Sequence, residues 1–160
     1  CTDVDPATRK FACFAVGNAA FHSSSLYAAL ATNQCVRALC AALCDRDEKT
    51  RANAAGALGN LVRNGSELCA LICDSQAVPR LLRMCIEDPV ASPQRIALFS
   101  IGTMAAFVEC REAMLAHSPS VKDVIRTLRD GTAGANGQAV DDTLQKYMSR
   151  LRIKLRGKPC

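Results

Sequence analysis

A repeat of 42 to 43 residues constrains this chain more than any other feature of its sequence. The stretch DEKTRANAAGALGNLVR (47–63) has a counterpart 42 positions earlier, DPATRKFACFAVGNAAF (5–21). Asp47 then falls on Asp5, Arg51 on Arg9, Gly59 on Gly17 and Asn60 on Asn18. A third copy stands 43 positions later in VASPQRIALFSIGTMAAF (90–107), where Gly102 falls on Gly59, Ile101 on Leu58 and Met104 on Leu61. A weaker fourth puts Val140, Leu144 and Tyr147 under Ala97, Ile101 and Met104. Self-similarity at this period marks a solenoid, in which each unit buries its apolar face only against its neighbours.

Within each period the pattern is helical. Phe11, Ala12, Ala15, Val16 and Ala19 recur at i, i+3 and i+4, with Asp5 placed to cap and Pro6 at the first helical position. A serine-rich turn at 22–25 then leads to a short helix, LYAALA, and a medium one, CVRALCAALC (35–44). The second unit repeats this, with a long helix to Arg63, a short one opened by Ser66-Glu67 and a medium one containing Pro79. The third runs through 89–107, ECREAMLA and PSVKDVIRTLRD, capped at Ser118 or Ser120. No period-2 apolar run bounded by hairpin signals occurs, so the expected class is all-α. The 160 residues form one domain, with repeat helices over 5–45, 47–89 and 91–130, a flexible break at the glycine-rich 131–137 and a capping helix over 138–156. Since the chain opens at Cys1 on a long helix without its short and medium partners, it reads as a segment of something longer.

Three helices in about 42 residues distinguish the armadillo unit from the two-helix HEAT unit. ALGNL in the long helix and AVPRLL in the medium helix resemble armadillo repeats. TRKFACFAVGNAAFHSSSLYAAL (8–30), DEKTRANAAGALGNLVRNGSELC (47–69) and SPQRIALFSIGTMAAF (92–107) are similar to the C-terminal armadillo region of Fused-type serine/threonine kinases. That resemblance implies a scaffold region behind an N-terminal kinase domain, with partners such as kinesin-type motors. It also implies roles at cilia, microtubule arrays or in Hedgehog-type signalling, and hence a cytoplasmic, cytoskeletal or ciliary location. Rival readings are an armadillo adaptor or transport factor without a kinase, and a basic nucleic-acid-binding solenoid.

Catalysis is not expected from the residues present. The Gly-rich loop after a strand, the strand lysine and the HRD and DFG motifs of a kinase are all missing from the 160 residues. His22 and His117 sit at helix ends beside serines, as polar loop residues do. Of ten cysteines, Cys13, Cys40, Cys44, Cys69, Cys73, Cys85 and Cys110 fall at apolar helical positions. The pairs 40/44 and 69/73 offer two ligands each where structural zinc needs four, so neither metal nor cofactor is expected. Thiols used in this way fit a reducing compartment.

Armadillo solenoids bind along the surface lined by the long helices. By analogy that face carries Lys10, Phe14 and Asn18, then Asn53 and Asn60, then Arg95, Phe99 and Thr103, then Asp142 and Lys146. An asparagine ladder can hold an extended peptide by its backbone, because each amide donates and accepts. Equally, Asn18 and Asn60 could bond between neighbouring helices. Peptide-binding armadillos carry a Trp four residues before each Asn, where this chain has Phe14, Gly56 and Phe99. Residues 143–160 hold six of the twenty basic residues and no acid. Arg150, Arg152, Lys154, Arg156 and Lys158 are then either the wet face of a capping helix buried through Met148, Leu151 and Leu155, or a surface for an acidic partner. RNA and anionic membrane are the remaining options for that tail. The open flank of the first helix, with Phe11, Val16 and Ala19, admits a homodimer.

The register makes Ala54, Ala55 and Leu58 core residues. Leu58→Ala should cost about 2–5 kcal/mol and Ala55→Leu should destabilise by overpacking, both read from denaturant unfolding.

Overall fold

Asp5 and Asp47 start the two most similar helices by the same chemistry. In the computed structural model, which describes residues 1–132 and 142–156, α1 (Pro6–His22) begins where the Asp5 carboxylate accepts from the Thr8 N–H (2.8 Å) and hydroxyl (2.7 Å). Helix α4 (Glu48–Asn60) begins with Asp47 accepting from the Thr50 N–H and hydroxyl, both at 2.7 Å. The side-chain oxygen satisfies a donor that the first turn of a helix leaves without a partner. The third long helix, α7 (Ala91–Met104), has Val90 at its cap and no such bond. There the Gln94 amide instead donates to the Asp88 carbonyl at 2.8 Å.

Between the long helices lie a short and a medium one in every unit. The short helices are α2 (Tyr27–Thr32, entered through a 3₁₀ turn at Ser24–Leu26), α5 (Cys69–Asp74) and α8 (Val108–Ala116). The medium ones are α3 (Cys35–Ala42), α6 (Ala77–Glu87) and α9 (Val121–Thr132). The last is α10 (Asp142–Leu155). In the first two units the short and medium helices are joined by two residues, the second of them left-handed, Gln34 (φ 56°) and Gln76 (φ 59°). A left-handed residue reverses the chain without adding length, and a non-glycine there is strained.

Long helices stack in the order α1, α4, α7, α10, while α3, α6 and α9 form a second layer and α5 packs on α8. The apolar core fills the space between layers, with Leu39, Leu58, Leu61, Leu81, Leu82, Leu98 and Ile101 fully buried. Ala54, Ala55 and Leu58 are completely enclosed. No strand occurs among the described residues. The arrangement is repeat-type and all-α, and among the described residues no helix is long and apolar enough to cross a membrane.

Two contacts set the spacing of the long helices. A Cβ added to Gly17 would lie 3.3 Å from both Cα and Cβ of Ala57. One added to Gly59 would lie 2.6 Å from Ser100 Oγ and 3.0 Å from its Cα. Each glycine therefore forms a slot that receives a small residue of the next long helix, and Ser100 also donates to the Ala55 carbonyl at 2.8 Å. At Gly102, the third of the series, nothing among the described residues of other helices lies within 4 Å of the same position.

The second contact is ionic. Arg51 grips Asp88 with two bonds (2.7 and 2.9 Å) while its remaining nitrogen donates to the Asp45 and Arg46 carbonyls. Arg9 makes the same fork to Asp45 and to the Asp3 and Val4 carbonyls. Each aspartate also accepts the backbone N–H two residues on, at Asp47 and Val90 respectively. Bidentate pairs fix direction as well as distance, so each arginine ties the turn before its own helix to the turn before the next. Hydrogen bonding to Arg9 holds the Asp45 carboxyl below its ordinary range, against the opposing effect of burial. For Asp88, burial pushes the carboxyl up, and Arg51 and the Val90 N–H outweigh it.

The structure departs from the sequence reading at element ends. Helix α4 stops at Asn60 rather than Arg63, where the buried Tyr27 hydroxyl donates to the Asn60 carbonyl (3.0 Å) and accepts from the Asn64 N–H (3.2 Å). Ser66-Glu67 forms a turn, and the α-helix begins only at Cys69. Gly131 and Thr132 of the expected flexible break belong to α9, and its remainder lies outside the described residues, as do 138–141 of the capping helix. Cys44 is exposed because α3 ends at Ala42 and the thiol falls beyond the helix face. The fourth sequence copy is out of register. Tyr147, set under the core residue Met104, is only half-buried and packs beside Phe99, while Met148 and Leu151 are the buried residues of α10.

Two outcomes follow from these contacts. Gly59→Ala should destabilise by about 1–3 kcal/mol through overpacking, whereas Gly102→Ala should be neutral or gain up to about 1 kcal/mol from reduced chain entropy. Thermal melts of the two variants side by side check this. Because Asp45 and Asp88 titrate below the ordinary 3.8, their contribution is complete above that pH and is lost as pH falls through their lower folded-state values. Melting temperature should thus be flat from neutrality to about pH 5 and fall below about pH 4. Asp88→Asn should lose about 1.5–3 kcal/mol at pH 7 and show a shallower acid limb.

A groove across the long helices as the candidate binding site

The glycine slots that draw α1, α4 and α7 together leave an open groove of about 400 Å³ over them. Its walls are Phe14 on α1, which is 55 % exposed, and Ile96 on α7. Gly56 lies between them on α4, and a Cβ placed there would touch only Ile96 Cγ2, at 3.4 Å. Where the peptide-binding pattern has a Trp platform, this chain therefore has a recess. Glu48, Lys49 and Ser92 contribute polar groups, so the groove carries charge of both signs.

Asn18, Asn53 and Asn60 all line it. Two of them also join helices: Asn53 Nδ2 donates to the Lys10 carbonyl and Asn60 Nδ2 to the Gly17 carbonyl, each at 3.1 Å. Asn64 continues the series, donating to the carbonyls of Ala20 (3.1 Å) and Phe21 (3.0 Å). One amide N–H of Asn53 and one of Asn60 are thus engaged between neighbouring long helices. What each still offers a ligand is its second N–H and its side-chain oxygen, the latter an acceptor suited to a peptide N–H. Asn18, on the outermost long helix, is exposed with its whole amide open.

Other residues expected on this face lie elsewhere. Lys10 is half-buried with its ammonium 4.7 Å from the Phe11 ring centroid. Arg95 is half-buried on α7 outside the groove lining. The Thr103 hydroxyl turns back to the Phe99 carbonyl at 3.2 Å, as β-hydroxyl side chains do within helices. Phe99 stands beside Tyr147, ring centroids 5.4 Å apart, in a second groove between α7 and α10. Arg150 and Lys154 line that groove, while Lys146, Arg152 and Arg156 are exposed elsewhere on α10 and are not part of its lining. Asp142 is exposed at the start of α10, and Lys158 lies outside the described residues.

The groove residues that the sequence does not single out are Gly17, Glu48, Lys49, Ala52, Ala57, Ser92 and Ile96. Their signal was available, since Gly17 aligns with Gly59 and Ile96 follows Arg95 by one position on the same helix. His22 is exposed with its ring edge-on to Phe21, centroids 5.1 Å apart. Among the described residues no group of three or more His, Cys, Asp or Glu side chains is arranged to hold a metal. Burial pushes the Cys40 thiol up to about 11 and that of Cys85 higher still, keeping both protonated near neutrality.

These features define an all-helical repeat solenoid with a grooved inner face and no kinase fold among its described residues. A model for a HEAT-like repeat matches residues 6–61, one full period plus the next long helix. The short helices α2, α5 and α8 are what extend the two-helix unit to the three-helix one. Among solved structures, two engineered proteins from the Northeast Structural Genomics Consortium share the fold. One has TM-score 0.80 at 20% identity over 98% of this chain and 59% of its own. The other has 0.68 at 18% identity over 98% and 78%.

The chain is homologous to a segment of the Fused-type serine/threonine kinases. It is 42% identical over 72 residues to serine/threonine-protein kinase TIO of Arabidopsis thaliana, 38% of this chain and 5% of that protein. To serine/threonine-protein kinase 36 of Pongo abelii it is 34% identical over 126 residues, 79% of this chain and 9% of the relative. The Mus musculus kinase 36 is 40% identical over 102 residues, 64% and 7%. The chain thus spans less than a tenth of these relatives' length.

Proposed function

We propose that this chain is a non-catalytic protein-interaction scaffold, the C-terminal repeat region of a Fused-like kinase, which holds an extended segment of a partner protein across α1, α4 and α7. The observation that carries this reading is the recess over Gly56, walled by Phe14 and Ile96 and edged by the acceptors of Asn53 and Asn60. An apolar side chain fits the recess, and the peptide N–H groups beside it meet the asparagine oxygens. Glu48 and Lys49 then favour a segment of mixed charge over the basic peptides that Trp-Asn ladders select. Kinesin-type motors at cytoskeletal or ciliary sites are the partner class that the resemblance implies, in a cytoplasmic setting.

A second reading concerns α1, whose Phe11 is 62 % exposed while Val16 packs in part against the core. That flank serves as a docking face for a further repeat or for a second copy of the chain. Sedimentation across concentrations should show self-association that Phe11→Asp removes, and a strict monomer would count against the second copy.

The groove is tested by quantitative affinity purification with two baits, the chain itself and Gly56→Leu, matched for melting temperature. Partners should be enriched on the first and depleted on the second, since a leucine at 56 fills the recess. Equal recovery on both baits would remove the groove as the binding site.

A further inference from the structure

We infer that the groove between α7 and α10 is a second docking site, and that it takes an acidic segment carrying one large apolar side chain. It repeats the geometry of the first groove two units on, with Phe99 in the place of Phe14 and Gly102 in the place of Gly17. In the first pair of long helices the Gly17 slot is filled by Ala57, and the glycine carbonyl accepts from Asn60. In the last pair the carbonyl is again satisfied, by Lys154 Nζ at 2.8 Å, but nothing of another helix among the described residues reaches within 4 Å of the Gly102 Cβ position.

A lysine explains the difference. Its four-carbon stem spans a gap that an asparagine amide cannot, so α10 is bonded to α7 while standing off from it. The space left is about 380 Å³, bounded by Leu98, Phe99 and Tyr147 on one hand and by the Ile153 side chain, 57 % exposed, on the other. This is an apolar cleft of the size that one or two ligand side chains fill.

Its charge selects the ligand. Arg150 and Lys154 line the cleft, the exposed Lys146 stands next to Tyr147 of its wall, and no acid is among the lining residues. A basic segment would be repelled, and a neutral apolar one would leave these cations without counter-charge. An acidic segment with a leucine or phenylalanine at its centre satisfies both parts. RNA would find cations but only two aromatic rings, Phe99 and Tyr147, already turned to each other at 58°. The site is independent of the Gly56 recess, so either can fail without the other.

Fluorescence anisotropy with the full 160-residue chain tests this, using fluorescein-labelled acetyl-Asp-Glu-Leu-Phe-Glu-Asp-amide as the probe. The peptide should bind saturably. Binding should weaken by about tenfold or more in Gly102→Leu, which fills the cleft, and in Arg150→Glu, which reverses its charge, with Gly56→Leu as an unaffected control. Circular dichroism melts establish that each variant is folded. A probe with Ser-Ser in place of Leu-Phe should bind weakly and lose most of that binding as salt rises. No saturable binding of the Leu-Phe probe would overturn the proposal. Equal binding of the Ser-Ser probe, or a folded Gly102→Leu that binds like the parent, would also overturn it, as would a uridine-rich RNA binding more tightly through Arg150.

Discussion

The stacking of long helices through glycine slots is the constraint on which the rest of this structure depends. A helix carrying side chains on every face keeps its neighbour about 8–10 Å away. At Gly17 and Gly59 the missing side chain admits Ala57 and Ser100, and the backbones approach until side chains of one long helix, the amides of Asn53 and Asn60 and the hydroxyl of Ser100, reach carbonyls of the preceding one. The asparagine bonds are therefore consequences of the slots, since Asn60 reaches the Gly17 carbonyl only at that spacing. The arginine forks at Asp45 and Asp88 then fix the helix starts, so that spacing and register are set by separate chemistries.

The same constraint shapes the surface available for binding. Small residues on the inner face draw the helices together, and the larger residues at its edges, Phe14 and Ile96, become walls rather than core. A Trp at position 56 would fill the recess and present a flat platform, whereas Gly56 gives a slot for a ligand side chain. Where the glycine pattern persists but its partner does not, at Gly102, a second cleft opens. One device, a glycine at a fixed repeat position, yields a tight joint or a vacancy according to what the following helix offers.

Much of this was legible in the sequence because the repeat supplies an internal comparison. Asp5 and Asp47 as caps, Leu58 as core and the all-helical class follow from spacing alone. The role of the asparagines could not be decided that way, since Asn60 has the same spacing whether it meets a ligand or the Gly17 carbonyl. Element ends were misplaced where a distant group intervened, as Tyr27 does at the end of α4. Register failed at α10: 43 residues separate Asn60 from the carbonyl it meets, but 52 separate Lys154 from the equivalent one. With that change of offset, the repeat spacing no longer reports on position in space. The arginine forks were half visible, because Arg9 and Arg51 align in the repeat while their partners lie 36 and 37 residues away in turns.

The slots can be observed directly in solution. In a methyl-labelled sample, nuclear Overhauser contacts between the Ala57 methyl and the Gly17 α-protons report the closest approach of α1 and α4. Contacts between the Ser100 β-protons and the Gly59 α-protons do the same for α4 and α7. The structure predicts both, together with no contact from α10 to the Gly102 α-proton that a side chain there would replace. Absence of the first two contacts in a folded, helical chain would mean that the long helices are not joined through glycine, and the grooves derived from that joint would go with it.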